Sequence, residues 1–107
     1  MTTETQLRKA ALALPDVVES DGAFRVHDVV FVAEVPGVGI ELALDRDDTE
    51  RMTAEIGAAV STAGGVSVSL DALDGQQLNH WVRRAWLAQA PRDLAGEILA
   101  ADSTELG

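Results

Sequence analysis

The only concentrated positive charge in the sequence is a histidine and two arginines within one predicted helix. Residues three and four positions apart are neighbours on a helix surface, so His80 lies beside both Arg83 and Arg84. Arg92 follows and can join them. These four residues are the candidate nucleic-acid or anion site. Because a duplex footprint needs several phosphate contacts, an ordinary solvated helix face is the favoured interpretation.

The densest acidic cluster consists of Asp45, Asp47, Asp48 and Glu50. Carboxylate oxygens are hard ligands that suit Ca²⁺, Mg²⁺ or iron. The spacing does not match a calcium-binding loop, which needs a central glycine and a distal glutamate. Acidic residues are also favoured at the positively polarised start of a helix, and capping explains the cluster more simply. We therefore assign no metal site and no cofactor.

No pattern in the sequence marks a catalytic centre. His27 and Asp28, together with scattered serines, are compatible with a hydrolase, but no serine lies in a nucleophile-elbow motif. The pair more simply closes a tight turn. The glycines after residue 56 lack the spacing of a phosphate-binding loop. We therefore expect a protein that is not an enzyme.

Composition and charge restrict the classes of partner. The chain has 107 residues, 18 of them acidic and 8 basic, which gives a net charge of −10. This charge disfavours DNA and anionic membranes, and leaves open a basic protein partner or a cation. The sequence contains no cysteine, no apolar run of the ~20 residues that cross a bilayer, and no signal-peptide pattern at its start. These features predict a cytoplasmic protein.

A strand-rich stretch from residue 24 to residue 44 organises the predicted fold. Its three strands cover residues 24–26, 29–35 and 40–44, joined by turns at His27-Asp28 and at residues 36–39. In the third strand Ile40, Leu42 and Leu44 share one face, which indicates a covered side and a wetter side. The second strand is apolar on both faces. It is either central and covered on both sides, the favoured interpretation, or it offers a surface to a partner.

Helical periodicity and capping signals flank this stretch. Before it, they predict a helix over residues 3–14 that Pro15 ends, and an acidic connector over 16–22. After it, they predict a second helix with Asp47 and Glu50 as its capping start, a loop over 61–65 and a strand over 66–70. A third helix is capped by Asp74 with Gln77, and a fourth helix follows Pro91. Trp81 and Trp86 lie on the apolar face of the third helix, so we expect both in the core. The order α-β-β-β-α-β-α-α with local hairpins predicts one α+β domain over residues 1–107, with helices packed on a mainly antiparallel sheet.

The ordered pieces of this chain resemble the MmcQ/YjbR family, whose fold is similar to that of frataxin and CyaY. The resemblance is carried by residues 12–17 (LALPDV), 23–26 (AFRV), 30–32 (VFV), 85–86 (AW) and 90–94 (APRDL). It implies a compact CyaY-like domain rather than a known reaction. Family members are commonly labelled as DNA-binding proteins, tied to a proposed double-wing arrangement.

The chain departs from the family pattern at two places that concern DNA. Members usually carry an aromatic and basic stretch before the fourth strand, whereas residues 58–65 here contain neither an aromatic side chain nor a charge. The usual lysine-rich hairpin is replaced by His27-Asp28. The sequence therefore predicts a non-enzymatic binding domain. DNA, a protein partner, and a small molecule or metal ion remain the alternative ligands.

Overall fold

The computed structural model describes residues 4–35, 37 and 39–90. The elements are α1 (Glu4–Leu12), β1 (Val17–Ser20), β2 (Ala23–Val26), β3 (Val29–Val35), β4 (Gly39–Leu42), α2 (Arg46–Glu55), β5 (Val60–Thr62), β6 (Gly65–Val68) and α3 (Gly75–Gln89), with a 3₁₀ turn over Leu70–Ala72. All neighbouring strands are antiparallel, in the order β1-β2-β3-β4-β6-β5. The predicted α+β class is confirmed.

One face of the sheet forms the core with the helices. Paired residues lie on the same face, so the register aligns Phe24, Val32, Leu42 and Val66 in a row across four strands. All four are fully buried in one cluster with apolar residues of α1, α2 and α3. Burying a large apolar side chain contributes roughly 1.5–3 kcal/mol, so this face contributes much of the stability of the domain.

Helix α3 forms as its sequence predicts. The Asp74 carboxylate accepts a hydrogen bond from the Gln77 backbone N–H at 2.7 Å, and the Gln77 side chain accepts one from the Asp74 N–H at 3.0 Å. This capping box satisfies two backbone donors that the helix itself leaves unpaired. Trp81 and Trp86 are buried in the core, and the Trp86 indole donates to the Pro15 carbonyl at 3.1 Å. Both tryptophans are therefore core residues, as expected.

The structure corrects the acidic connector over residues 16–22. Its central part is strand β1, which pairs with β2 through a two-residue turn at Asp21-Gly22. Both turn residues have left-handed φ values, 52° and 78°, which suit the right-handed twist of the flanking strands. The predicted turn at His27-Asp28 has the same character, with φ values of 48° and 67°.

A second correction concerns residues 61–65, which were expected to form a loop. Together with Val60 they form β5, a turn and the start of β6, so the described sheet has six strands where four were predicted. The strand expected over residues 66–70 begins one residue earlier and ends at Val68, because Leu70 lies in the 3₁₀ turn.

Smaller differences occur at element ends. Strand β4 ends at Leu42, two residues before the predicted end, although Leu44 is still buried. The cap of α2 is Asp45 rather than Asp47, because the Asp45 carboxylate accepts from the Asp48 N–H at 2.8 Å. Thr3, the expected cap of α1, and the helix expected after Pro91 lie outside the described residues.

Candidate binding surfaces

The cationic residues predicted as one anion site have different surroundings on α3. The Arg84 Nε donates to the Asp48 carboxylate at 2.8 Å, and the Asp48 side chain is 4% exposed. This ion pair joins α3 to α2. A guanidinium held against a buried carboxylate has its charge largely neutralised, so Arg84 contributes structure more than ligand affinity.

Arg83 and His80 are not members of that ion pair. Arg83 lines a hollow of about 310 Å³ between α1 and α3, together with Lys9 and an apolar floor that includes Ala13. The exposed His80 ring meets the Trp81 ring edge to face, with centroids 4.7 Å apart. Arg92 lies outside the described residues, so its membership of the site stays a prediction. The cations that line the α1–α3 groove are therefore Lys9 and Arg83.

The acidic cluster is used within the fold. Asp45 caps α2, Asp48 holds Arg84, and Glu50 lies 3.8 Å from Arg46 in an exposed ion pair. Across residues 4–35, 37 and 39–90, no three acidic or histidine side chains are placed to hold a metal ion. Capping and pairing account for most of the cluster, in agreement with the simpler interpretation.

A second hollow, of about 430 Å³, lies beside the His27-Asp28 turn. The His27 Nε2 lies 3.0 Å from an Asp16 carboxylate oxygen, and both side chains are more than half exposed. Arg25 and Val18 line the same hollow. An exposed pair of this kind contributes little to stability. Among the described residues that line it, no serine or threonine lies beside the histidine.

The face of the sheet opposite the core carries small and apolar side chains. Antiparallel pairing places two rows on this open face: Ser20, Ala23, Ala33, Glu41, Ser67 and Val60 in one, and Val18, Arg25 and Val30 in the other. None of these residues belongs to the buried core cluster or packs against it. Strand β3 is thus central, as expected, but the described helices cover only one of its faces.

The two ends of the open face are strongly exposed. Val18 on β1 and Val60 on β5 have 63% and 62% of their surface exposed. Sequence reasoning gave this surface only as the less favoured alternative for the second strand, and it missed the two ends because they lie on β1 and β5, which were not predicted. The Asp21-Gly22 pair, a strong hairpin signal, could have revealed β1.

Comparisons of the chain with protein-family models, curated proteins and solved structures give no match. Function is therefore argued from the surfaces themselves. Within the described part of the chain, no helix has the length and apolar character needed to cross a membrane.

Proposed function

We propose that this chain is a small, non-enzymatic domain that binds a protein on the open face of its sheet. The observation that carries the proposal is a sheet face that no described helix covers, with Val18 and Val60 strongly exposed at its two ends and the half-buried Val30 and Ala33 between them. An exposed apolar patch on a soluble protein typically marks an interaction site. The proposed location is the cytoplasm, which the absence of cysteine supports.

The charge of the open face does not suit a nucleic acid. Its two rows carry one cation, Arg25, and one anion, Glu41, so the net charge of the named residues is zero. DNA-binding surfaces instead concentrate lysine and arginine.

Nucleic-acid binding is the alternative that the MmcQ/YjbR resemblance suggests. We keep family membership as a proposal, supported by the order of the sequence motifs and by the α+β class. Two observations weigh against DNA itself. The net charge is −10, and the guanidinium of Arg84 is held by a buried carboxylate. A small molecule or a cation is the other alternative ligand. Cation binding is the weaker of these two, because Asp45 caps α2 and Asp48 is paired with Arg84.

In a mobility-shift assay with duplex and single-stranded DNA, we expect no retarded complex even at low salt, where electrostatic binding is strongest. The physical reason is that carboxylates outnumber the accessible cations. A salt-sensitive shift that weakens in both Lys9→Ala and Arg83→Ala would instead assign the α1–α3 groove to nucleic acid. Arg84→Ala is unsuitable as a probe, because it also removes the contact between α3 and α2.

A photo-crosslinking amino acid tests the protein-binding proposal directly. With benzoylphenylalanine at Val18, on the open face, we expect a discrete protein adduct when the full chain is irradiated in its own cells. The matched control places the same group at Ala54, an exposed position on α2. The reason for the difference is that only the first position borders the apolar face. Mass spectrometry identifies the adduct, and equal labelling from both positions, or from neither, would refute the proposal.

A further inference from the structure

The open face of the sheet is self-complementary in charge. Its two rows carry one cation, Arg25, and one anion, Glu41, on either side of the central strand β3. Arg25 pairs with Val30 and Glu41 pairs with Ala33, so the charges lie on opposite neighbours of β3 and at different heights along it. Because adjacent strands are about 4.8 Å apart, the two backbones are separated by at least roughly 10 Å.

Neither charge has an ion-pair partner among the described residues of its own chain, although Asp16 and Asp28 line the same hollow as Arg25. Across the described residues, Arg25 and Glu41 take part in no ion pair or side-chain hydrogen bond. Their side chains also lie away from β3. Arg25 borders the hollow beside Val18 at the β1 side, and the Glu41 carboxylate lies near Gly64 at the β6 side. The centre of the face, around Val30 and Ala33, is therefore left apolar.

This arrangement fits a second copy of the same chain. When two sheets pack face to face about a two-fold axis, the axis lies in the plane of contact. Suppose that this axis passes over β3 between Val30 and Ala33 and is perpendicular to the line that joins Arg25 to Glu41. The rotation then brings Arg25 of each copy to Glu41 of the other. Two equivalent ion pairs then flank an apolar centre, as isologous dimers require. Packed sheets are separated by about 10 Å, a gap that these two long side chains can bridge.

We propose that the open face is the contact surface of a homodimer, with reciprocal pairing between Arg25 and Glu41. The proposal rests on the proposed function, because it names the protein bound on the same face. The face is about 24 Å wide across six strands and roughly 13–23 Å long, so it is smaller than the roughly 800 Å² that each partner buries in a standard interface. The dimer is therefore weak and depends on concentration.

Sedimentation-equilibrium measurements test the proposal through charge reversal. They should span about 1 to 500 µM protein, the range in which small interfaces dissociate. At about 0.15 M salt, where screening acts over about 8 Å, we expect Arg25→Glu and Glu41→Arg each to raise the dimer dissociation constant at least about tenfold, because each places like charges in contact. The double variant restores both pairs, and its dissociation constant should return to within about threefold of the native value.

The two single variants separate specific pairing from overall repulsion. Arg25→Glu makes the chain more negative, whereas Glu41→Arg makes it less negative by the same amount, so overall repulsion alone would weaken the dimer only in the first. Arg51→Glu and Glu55→Arg, at exposed positions on α2, make the same changes in net charge away from the face and should leave the constant unchanged.

Each result that contradicts the homodimer has a distinct meaning. A native chain that stays monomeric over the whole range overturns it, and so does a double variant that is as weak as the singles. If the chain is monomeric but a Val18 crosslink captures a different protein in its cells, the protein-binding function stands and the homodimer fails. If the chain is monomeric and no crosslink forms at Val18, both proposals fail.

Discussion

Gly65→Ala is expected to lower the free energy of unfolding by about 3 kcal/mol or more, enough to leave a small domain largely unfolded at moderate temperature. Gly65 begins β6 with a φ of +146°, a conformation that residues with a side chain rarely adopt. A Cβ at this position would overlap the Leu42 carbonyl oxygen and lie 3.0 Å from the Leu44 nitrogen. Both neighbours are backbone atoms of or next to β4, so they cannot move without breaking the sheet.

Thermal and urea unfolding followed by circular dichroism measure this change. A loss of about 3 kcal/mol corresponds to a fall in melting temperature of roughly 10 °C or more for a chain of this size. Gly57→Ala is the matched control, because no atom lies within 4 Å of the place that its Cβ would occupy and its φ is not left-handed. It should change stability by less than about 1 kcal/mol. Equal losses in the two variants would show that the β4–β6 contact does not require glycine.

Gly65 also illustrates a feature of the fold that the sequence did not predict. Gly64-Gly65 suggested a loop, since two adjacent glycines usually mark irregular structure. Gly65 is required instead because the backbone of β4 passes too close for any side chain, and that approach depends on a pairing between distant segments. The sequence pattern of one segment does not show which distant segment will pair with it.

The elements that were predicted correctly have local causes. Strand β3 matches its predicted bounds because a run of β-branched and aromatic residues is bounded by turn residues on both sides. Helix α3 follows from the Asp74 capping box and a complete apolar stripe. Strands β1 and β5 were missed because each is short and partly polar, and each becomes a strand by pairing with a stronger neighbour.

The candidate surfaces also combine features with a local cause, which the sequence shows, and features that depend on contacts between distant segments, which it does not. The sequence indicated that His80, Arg83 and Arg84 lie on one helix, and they do. It could not show that Arg84 faces a carboxylate 36 positions earlier, because that contact depends on how α2 packs beside α3. The sequence offered an open surface on the second strand only as an alternative, and it could not show the extent of that surface, since the end residues Val18 and Val60 lie on the two strands that were missed.

The second large effect is expected from Arg84→Ala, which should reduce the free energy of unfolding by about 3 kcal/mol. The Asp48 side chain is only 4% exposed in the native structure, and the substitution removes its cation. A buried charge that loses its partner typically costs about 3–5 kcal/mol, and the partial exposure of Arg84 places this case at the lower end. Urea unfolding monitored by tryptophan fluorescence measures the loss, since both tryptophans lie on the same helix.

Two further variants separate the burial of Asp48 from the loss of an ion pair in general. Arg46→Ala removes a surface pair whose side chains are 92% and 71% exposed, and should cost less than about 0.5 kcal/mol. Asp48→Ala should cost less than Arg84→Ala, because the guanidinium that remains is 37% exposed and can be solvated, whereas the buried carboxylate cannot.

The order of these losses decides what Arg84 does. If Arg84→Ala is the most destabilising of the three, the arginine belongs to the framework that holds α3 against α2. Binding lost in that variant would then reflect a damaged fold rather than a missing ligand contact. If Arg84→Ala leaves stability unchanged, Asp48 is adequately solvated without its partner, and the guanidinium returns to the set of candidate anion contacts with His80 and Arg83. Stability measured alongside binding therefore separates the structural and ligand roles of the positive side chains on α3.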